Sequence, residues 1–432
     1  MQPLASISIA CLWLCAACTG TRTGNPVDGG DAPKGAVLVR SELSREADPP
    51  ADPARDRKLA AGNRAFACEL YRTLSKDDAN LFLSPYSVSS ALAMTYAGAA
   101  GETESQLASA LHFELPQAEL HAAFNHASSE LEGRKDEIMP KASGDGFELH
   151  VVNQAWGQKD HPFLDSYLDV LGVNYGAGLF LLDFHKPEPA RQIINGWVLE
   201  QTHDRIADLL PEGSLSTLTK LVLTNAVYFK ASWLNAFDPA KTQEASFHAP
   251  GGVRSVQMMQ RDQVRYTAGT DYEAVSLPYL APDVSMILIL PAEGRFAAVR
   301  DGLDGGFIDR VSDDLNGIAT VLRVPRFRFE SENRLKQPLQ ALGARAVFGA
   351  DSADLSRMDG KPHDLYVEEV FHKAFVAVDE QGTEAAASTA VVLRTRGVVP
   401  PHEITFDRPF IFAILDQPTG QILFIGQLVD PG

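Results

Sequence analysis

The chain has 432 residues, 45% hydrophobic and 22% charged, a globular composition with enough apolar material for a large core. Its net charge of −18 leaves no basic surplus to neutralise phosphates or sulfates, which argues against nucleic acid and anionic polysaccharide as partners. Four cysteines, Cys11, Cys15, Cys18 and Cys68, exclude an internal disulfide framework once the first three fall in a leader.

That leader is "MQPLASISIACLWLCAACTG". Leu4 to Ala17 is an apolar run of secretory length, too short for a permanent membrane span, and residues 1–17 are expected to be a signal peptide. The run ends in "CAAC", which resembles a bacterial lipoprotein processing site with Cys18 as the lipidated N-terminus. The n-region carries no Lys or Arg, and Cys15 stands where leucine is usual. A plain signal peptide cleaved after Ala17 or nearby is the alternative. Either way the protein is expected to be exported, as a cell-envelope lipoprotein held on the membrane through Cys18 or as an extracellular protein. Residues 18–55 are rich in Gly, Pro, Asp and Ala and lack aromatic side chains, so they are expected to form a disordered tether.

The globular part begins at Asp56. "LAAGNRAFACELYRTL" lines up Leu59, Phe66, Leu70, Tyr71 and Leu74 on one helical face. "NLFLSPYSVSSALAMTYAGAA" reads as a short strand, a turn at Ser84-Pro85 and an alanine-rich helix, and "GETESQLASAL" as a further helix that Thr103 would cap. "ARQIINGWVLEQTHDRIADLL" continues the helical middle. The period then switches to two: "KLVLTNAVYFKASW", "EAVSLPYL", "VSMILILP", "TVLRVPRFRFE" and "QILFIGQLV" are strand-like. Without repeats or strict βαβ alternation, the pattern indicates an α+β fold with large mixed or antiparallel sheets.

Nothing recommends an enzyme. There is no GxSxG elbow, HExxH helix, CxxC pair, P-loop or GxGxxG, and His402-Glu403 lacks a second histidine at metal-binding spacing. No cofactor or metal is expected. The informative segment is "DEQGTEAAASTAVVLRTRG", Asp379 to Gly397. Thr383, Ala385, Ala387, Thr389, Val391 and Leu393 are small or apolar, whereas the other parity, Glu384, Ala386, Ser388, Ala390, Val392 and Arg394, holds all the charge. That alternation suits a strand with one buried face. It follows "FHKAFVAVD", itself a strand, with a glycine between, and so reads as a two-state element.

Four blocks carry a family resemblance: "NLFLSPYSVSSALAMTYAGAAGETESQL", "LVLTNAVYFKASWLNAF", "VEEVFHKAFVAVDEQGTEAAASTAVV" and "DRPFIFAILDQPTGQILFIGQL". Together they resemble serpins, in family order, over Asp56 to Gly432. The resemblance implies a single α+β serpin domain over 56–432, with three β-sheets, about nine helices and an exposed reactive-centre loop. It implies a suicide-substrate inhibitor, acting as a monomer, that forms a covalent complex with a serine protease. In such a mechanism the cleaved loop inserts into the main sheet, and the insertion releases strain stored in the native fold. The hinge would comprise Glu380, Gly382, Thr383, Glu384, Ala385, Ala386, Ala387, Ser388 and Thr389, none bulky enough to delay insertion. The scissile bond, fourteen positions beyond Gly382, would be Arg396–Gly397, with Arg394–Thr395 as the alternative. Either arginine suits a trypsin-like protease with an acidic specificity pocket. Ser84, Ser87, Asn225 and His372 match the polar cluster where the sheet parts, and Trp233 the tryptophan near the point of first insertion. A non-inhibitory serpin, acting as a binding or chaperone module, is the alternative function.

Overall fold

The computed structural model describes residues 32–134, 147–281, 283–383 and 402–432. In chain order the elements are β1 (Val37–Val39), α1 (Pro53–Leu74), β2 (Leu81–Leu83), α2 (Pro85–Ala97), α3 (Gly101–Ala110), α4 (Gln117–Gly133), β3 (Phe147–Gln158), α5 (Asp165–Tyr175), β4 (Leu179–Leu182) and α6 (Pro187–Gln201). Strands then dominate: β5 (Leu221–Ser232), β6 (Gln243–Ala249), β7 (Gly252–Ala268), β8 (Tyr272–Pro278) and β9 (Val284–Pro291). After α7 (Phe296–Asp301) and α8 (Gly305–Asp313) come β10 (Gly317–Pro325), β11 (Phe327–Arg334), α9 (Lys336–Ala341) and α10 (Ser356–Asp359). The chain closes with β12 (Val370–Val378), β13 (Gly382–Thr383), β14 (Glu403–Thr405), β15 (Phe410–Asp416) and β16 (Gln421–Leu428).

Local chemistry sets several of these boundaries. Asp52 caps α1 by accepting from the Ala54 and Arg55 amides, with Pro53 at the first helical position. Ser84 does the same for α2, accepting from the Ser87 amide ahead of Pro85. Thr103, expected to cap α3, lies inside that helix instead, because the chain turns already at Ala100; its hydroxyl accepts from the Asp354 amide. Helix α6 stops at Gln201, short of the expected run to Leu210. His203 and Asp204 just beyond it adopt φ of 49° and 61°, left-handed values that break a helix.

The expected α+β architecture is present, with ten α-helices among the described residues. A seven-stranded sheet runs β1-β4-β3-β5-β13-β12-β11, and a nine-stranded sheet runs β14-β10-β7-β8-β9-β15-β16-β2 with β6 on β7. The expected second and third sheets run into one another through β7, whose 17 residues pair with β6, β10 and β8 in turn. "TVLRVPRFRFE" divides at Arg326 into β10 and β11, one in each sheet.

Two apolar layers cover the seven-stranded sheet. On one face Leu223, Val227, Phe229 and Ala231 of β5 join the main core, which includes α1, α2 and the nine-stranded sheet. On the other, Val222 and Ala226 of β5, Val152 and Trp156 of β3 and Phe371 of β12 pack under Ile194, Trp197 and Val198 of α6. Covered on both faces, β5 is buried at every residue from Leu221 to Ser232 except the half-buried Lys230.

The tether expected over residues 18–55 ends sooner than its composition implies. Within it β1 pairs antiparallel with β4, Val37 to Leu181 through Val39 to Leu179. Beyond β1, the Ser41 hydroxyl donates to Asp169 at 2.5 Å and the Glu46 amide to the Val173 carbonyl at 3.0 Å. Arg45 donates to Asn125 at 2.7 Å and Glu132 at 2.8 Å. Three consecutive apolar residues, Val37, Leu38 and Val39, suffice to extend a sheet edge, a signal that average composition hides. Residues 1–31, including the expected signal peptide and Cys18, lie outside the described residues.

Candidate functional site

The site is the seam between β5 and β12. These strands are parallel and pair directly from Val370 with Leu223 to Ala374 with Val227. Beyond that point they splay, and β13 fills the mouth of the gap. Gly382 pairs antiparallel with Ser232 and Thr383 with Ala231 on β5, while Thr383 pairs with Val378 on β12. The chain reverses from β12 into β13 through a turn in which the Asp379 carboxylate accepts from the Gln381 and Gly382 amides at 2.8 and 3.2 Å.

Gly382 is required here by close approach. A Cβ on it would sit 2.1 Å from the Ala231 carbonyl oxygen and 2.8 Å from the Ser232 Cα. Thr383 is fully buried and its hydroxyl hydrogen-bonds the Tyr279 hydroxyl at 2.8 Å. Burial holds the Tyr279 phenol well above its usual pKa, so it stays protonated. Tyr279 stacks on Trp233 with ring centroids 4.5 Å apart. Trp233 donates from its indole nitrogen to the Asp379 carbonyl at 3.0 Å and from its amide to the Gln381 carbonyl at 2.8 Å.

Glu380 anchors the same turn. It is 4% exposed, and its carboxylate accepts from Arg326 at 2.9 and 2.5 Å and from the Thr242 hydroxyl. Burial pushes its pKa up, but the Arg326 and Thr242 hydrogen bonds more than offset that, and the carboxyl lies below its ordinary value. Its neighbour Asp379 is shifted the other way, raised chiefly by burial.

Farther along the seam, a polar row crosses three strands. Asn153 on β3 pairs in register with Asn225 on β5, and Asn225 with His372 on β12. The N-terminus of α2 supplies Ser84 and Ser87 beneath it. The Ser84 amide donates to His372 Nε2 at 3.2 Å, which fixes the proton on Nδ1, and Nδ1–H donates to Asn225 Oδ1. Asn225 Nδ2 donates to Ser87 Oγ at 2.5 Å and to Asn153 Oδ1; Asn153 Nδ2 returns a bond to the Ser87 carbonyl at 3.1 Å. His372 is fully buried and burial pushes its pKa down to about 3, so the ring is neutral. Every member is satisfied, and the His372–Asn225 bond ties together the two strands flanking the gap.

The structure thus brings Ser84, Ser87, Asn225 and His372 into one network. Trp233 is separate from them, eight residues beyond Asn225 along β5 and so about 26 Å away at ~3.3 Å per residue, at the mouth with Glu380, Gly382 and Thr383. The expected hinge residues Glu384, Ala385, Ala386, Ala387, Ser388 and Thr389 lie outside the described residues, as do Arg394, Thr395, Arg396 and Gly397. Sequence reasoning missed Asn153, Tyr279, Arg326 and Thr242. Only Asn153 had a legible signal, as the one amide on the core-facing parity of "FELHVVNQA", alternating with Phe147, Leu149, Val151 and Ala155.

The sequence model of the family described as serpin (serine protease inhibitor) matches residues 61–431. The leukocyte elastase inhibitor of Bos taurus is 35% identical over 395 residues, 87% of this chain and 100% of its own. Among solved structures, a thermophilic serpin in the native state, tengpin, superposes with a TM-score of 0.79 at 27% identity, covering 91% of this chain and 99% of its own. Human thyroxine-binding globulin complexed with thyroxine gives 0.76 at 29% identity, covering 87% and 99%. With a splayed central sheet, β13 seated at its mouth and a family match over residues 61–431, the chain belongs to the serpin family.

Proposed function

We propose that the chain is a suicide-substrate inhibitor of trypsin-like, arginine-specific serine proteases, trapping the acyl-enzyme by inserting its cleaved loop into the seven-stranded sheet. The register of β13 carries this reading. Gly382 and Thr383 are already paired with β5 on one side, and Thr383 with β12 on the other. Continued along β5, that register sets Glu384 opposite Lys230 and Thr389 opposite Asn225; continued along β12, it sets Thr389 opposite His372. On insertion, both ladders would therefore bring residue 389 to the same point, between the two members of the polar row that bridge the strands. Ala385, Ala387, Thr389, Val391 and Leu393 would follow Thr383 into the main core, and Glu384 and Arg394 would take the α6 face. The parity of the sequence and the register of the sheet agree.

In the proposed reaction the protease serine attacks the Arg396 carbonyl, the bond to Gly397 breaks, and the Gly397 nitrogen leaves as an amine with a proton from the protease's general acid. Arg396 remains as an ester, and insertion must outrun its hydrolysis. The Arg394–Thr395 bond is the rival. The leader and "CAAC" support export with lipid on Cys18; a monomer suffices for the chemistry. Incubation with trypsin is expected to give a complex that survives boiling in SDS, with a released C-terminal peptide beginning at Gly397. Cleaved chain with trypsin fully active would overturn the inhibitory reading and favour a binding module, the use suggested by the thyroxine-bound serpin structure.

A further inference from the structure

We propose that Glu148, His150 and His203 form a site for a divalent transition-metal ion of the zinc class that clamps the end of α6 to the seven-stranded sheet. Glu148 and His150 are two apart on β3, so both project from the same face. That face is the one α6 covers, because Val152 and Trp156, of the same parity, pack against Trp197 and Val198. His203 comes from the other side. It follows the C-terminus of α6, and its left-handed backbone (φ 49°) turns the chain back toward the sheet. The imidazole rings of His150 and His203 stand perpendicular, 89° apart with centroids at 5.0 Å. One ligand atom from each of the three residues lies within 4.8 Å of the other two.

A tetrahedral ion with bonds of about 2.1 Å needs ligand atoms about 3.4 Å apart, a closure that side-chain rotation of these partly exposed groups supplies. Two imidazoles and one carboxylate are a borderline-soft donor set suited to zinc, with water as the fourth ligand. His150 Nε2 is already 3.7 Å from Glu148 Oε2. Lys230 approaches the other oxygen, Oε1, at 3.8 Å, leaving Oε2 to face the histidines. The net charge of −18 adds a long-range attraction for cations. A second group, His161, Asp359 and Asp364, has similar spacing, but Lys220 and Lys361 lie 2.5 and 3.7 Å from Asp364 and already neutralise it.

The test is a cobalt titration of the full chain after dialysis against a chelator. One equivalent of Co²⁺ is expected to give the visible absorption of a low-coordinate complex, and Zn²⁺ to abolish it by displacement. Zn²⁺ should also slow amide exchange at residues 198–205, the joint between α6 and the ion. His203→Asn keeps a side chain that tolerates the left-handed backbone, and His150→Ala removes the partner on β3. Each should weaken binding by about 100-fold or more, the upper end of what losing even an outer-shell partner costs. His161→Ala should leave it unchanged. Absence of a bound-cobalt spectrum, binding that survives both His203→Asn and His150→Ala, or binding that is lost in His161→Ala would each overturn the proposal.

Discussion

Thr389→Arg tests the register directly. In the proposed inserted state both ladders, extended from β13, would bring residue 389 between Asn225 and His372, which are fully buried and already satisfied by neutral partners. No carboxylate belongs to that row, so an inserted guanidinium would be an unpaired buried charge, costing several kcal/mol. Taking about 3 kcal/mol at the insertion barrier and 1.36 kcal/mol per factor of ten, insertion slows by roughly 150-fold. Deacylation, which happens at the protease, is untouched. Any inhibitor whose insertion leads hydrolysis by less than that factor becomes a substrate. The assay titrates a fixed amount of trypsin and reads the moles of inhibitor consumed per mole of enzyme silenced. Thr389→Arg should raise that ratio many-fold and replace the SDS-stable complex with cleaved chain, whereas Glu384→Gln, on the opposite parity, should leave it near the parent value. A Thr389→Arg protein that silences trypsin at the parent ratio would refute the register and the reading built on it.

Four further outcomes follow from the seam. Gly382→Ala should expel β13, since its Cβ would meet the Ala231 carbonyl oxygen at 2.1 Å; overpacking of this kind costs roughly 1–3 kcal/mol, and faster amide exchange around Ala231 and Ser232 would report it. His372→Ala removes the bond across the strands and leaves the Ser84 amide unsatisfied, destabilising the closed seam by roughly 2–4 kcal/mol; heating the variant should give polymers on native gels at lower temperature than the parent, and an unchanged transition would count against this role. His372 also fixes a pH trend: with its pKa pushed from 6.5 to about 3, the unfolded chain takes up a proton that the native one refuses, so stability should fall as pH drops through that window, by up to about 1.4 kcal/mol per pH unit. Arg326→Ala should loosen the turn at Glu380 and return its carboxyl upward; in the parent, the stabilisation from this depressed carboxyl is present above its ordinary 4.5 and lost as pH falls through its lower native value, a dependence that should be weaker in thermal scans of the variant, where only Thr242 and the backbone still hold the carboxylate.

The strands are the most legible part of the sequence. Short runs rich in apolar and β-branched residues mark β5, β8, β9 and β16, a local property even where, as in β9 and β16, both faces are buried and no alternation shows, and Thr383, the first residue of the alternating stretch, is buried as its parity requires. The polar cluster is reachable only through family resemblance: Ser84 and His372 are 288 residues apart, and nothing in either neighbourhood encodes their bond. Gly382 reads locally as a flexible hinge, yet its φ is unexceptional and its need for glycine arises from a carbonyl on a strand about 150 residues earlier. Long-range crowding leaves no mark in local pattern. Arg326 likewise is one of two arginines in "PRFRF" until the sheet-to-sheet crossing brings it onto Glu380.

The pairing of β1 with β4 changes the reach of the molecule. Ala32 and Ala36, just ahead of β1, also pack against the α6-side core, so if Cys18 is acylated at most the 13 residues 19–31 separate the lipid from the domain, no more than about 45 Å at ~3.5 Å per residue, in place of the 37 residues from 19 to 55. The bait loop would then sweep a thin shell over the membrane, intercepting proteases that arrive at the surface while sparing those that pass at a distance.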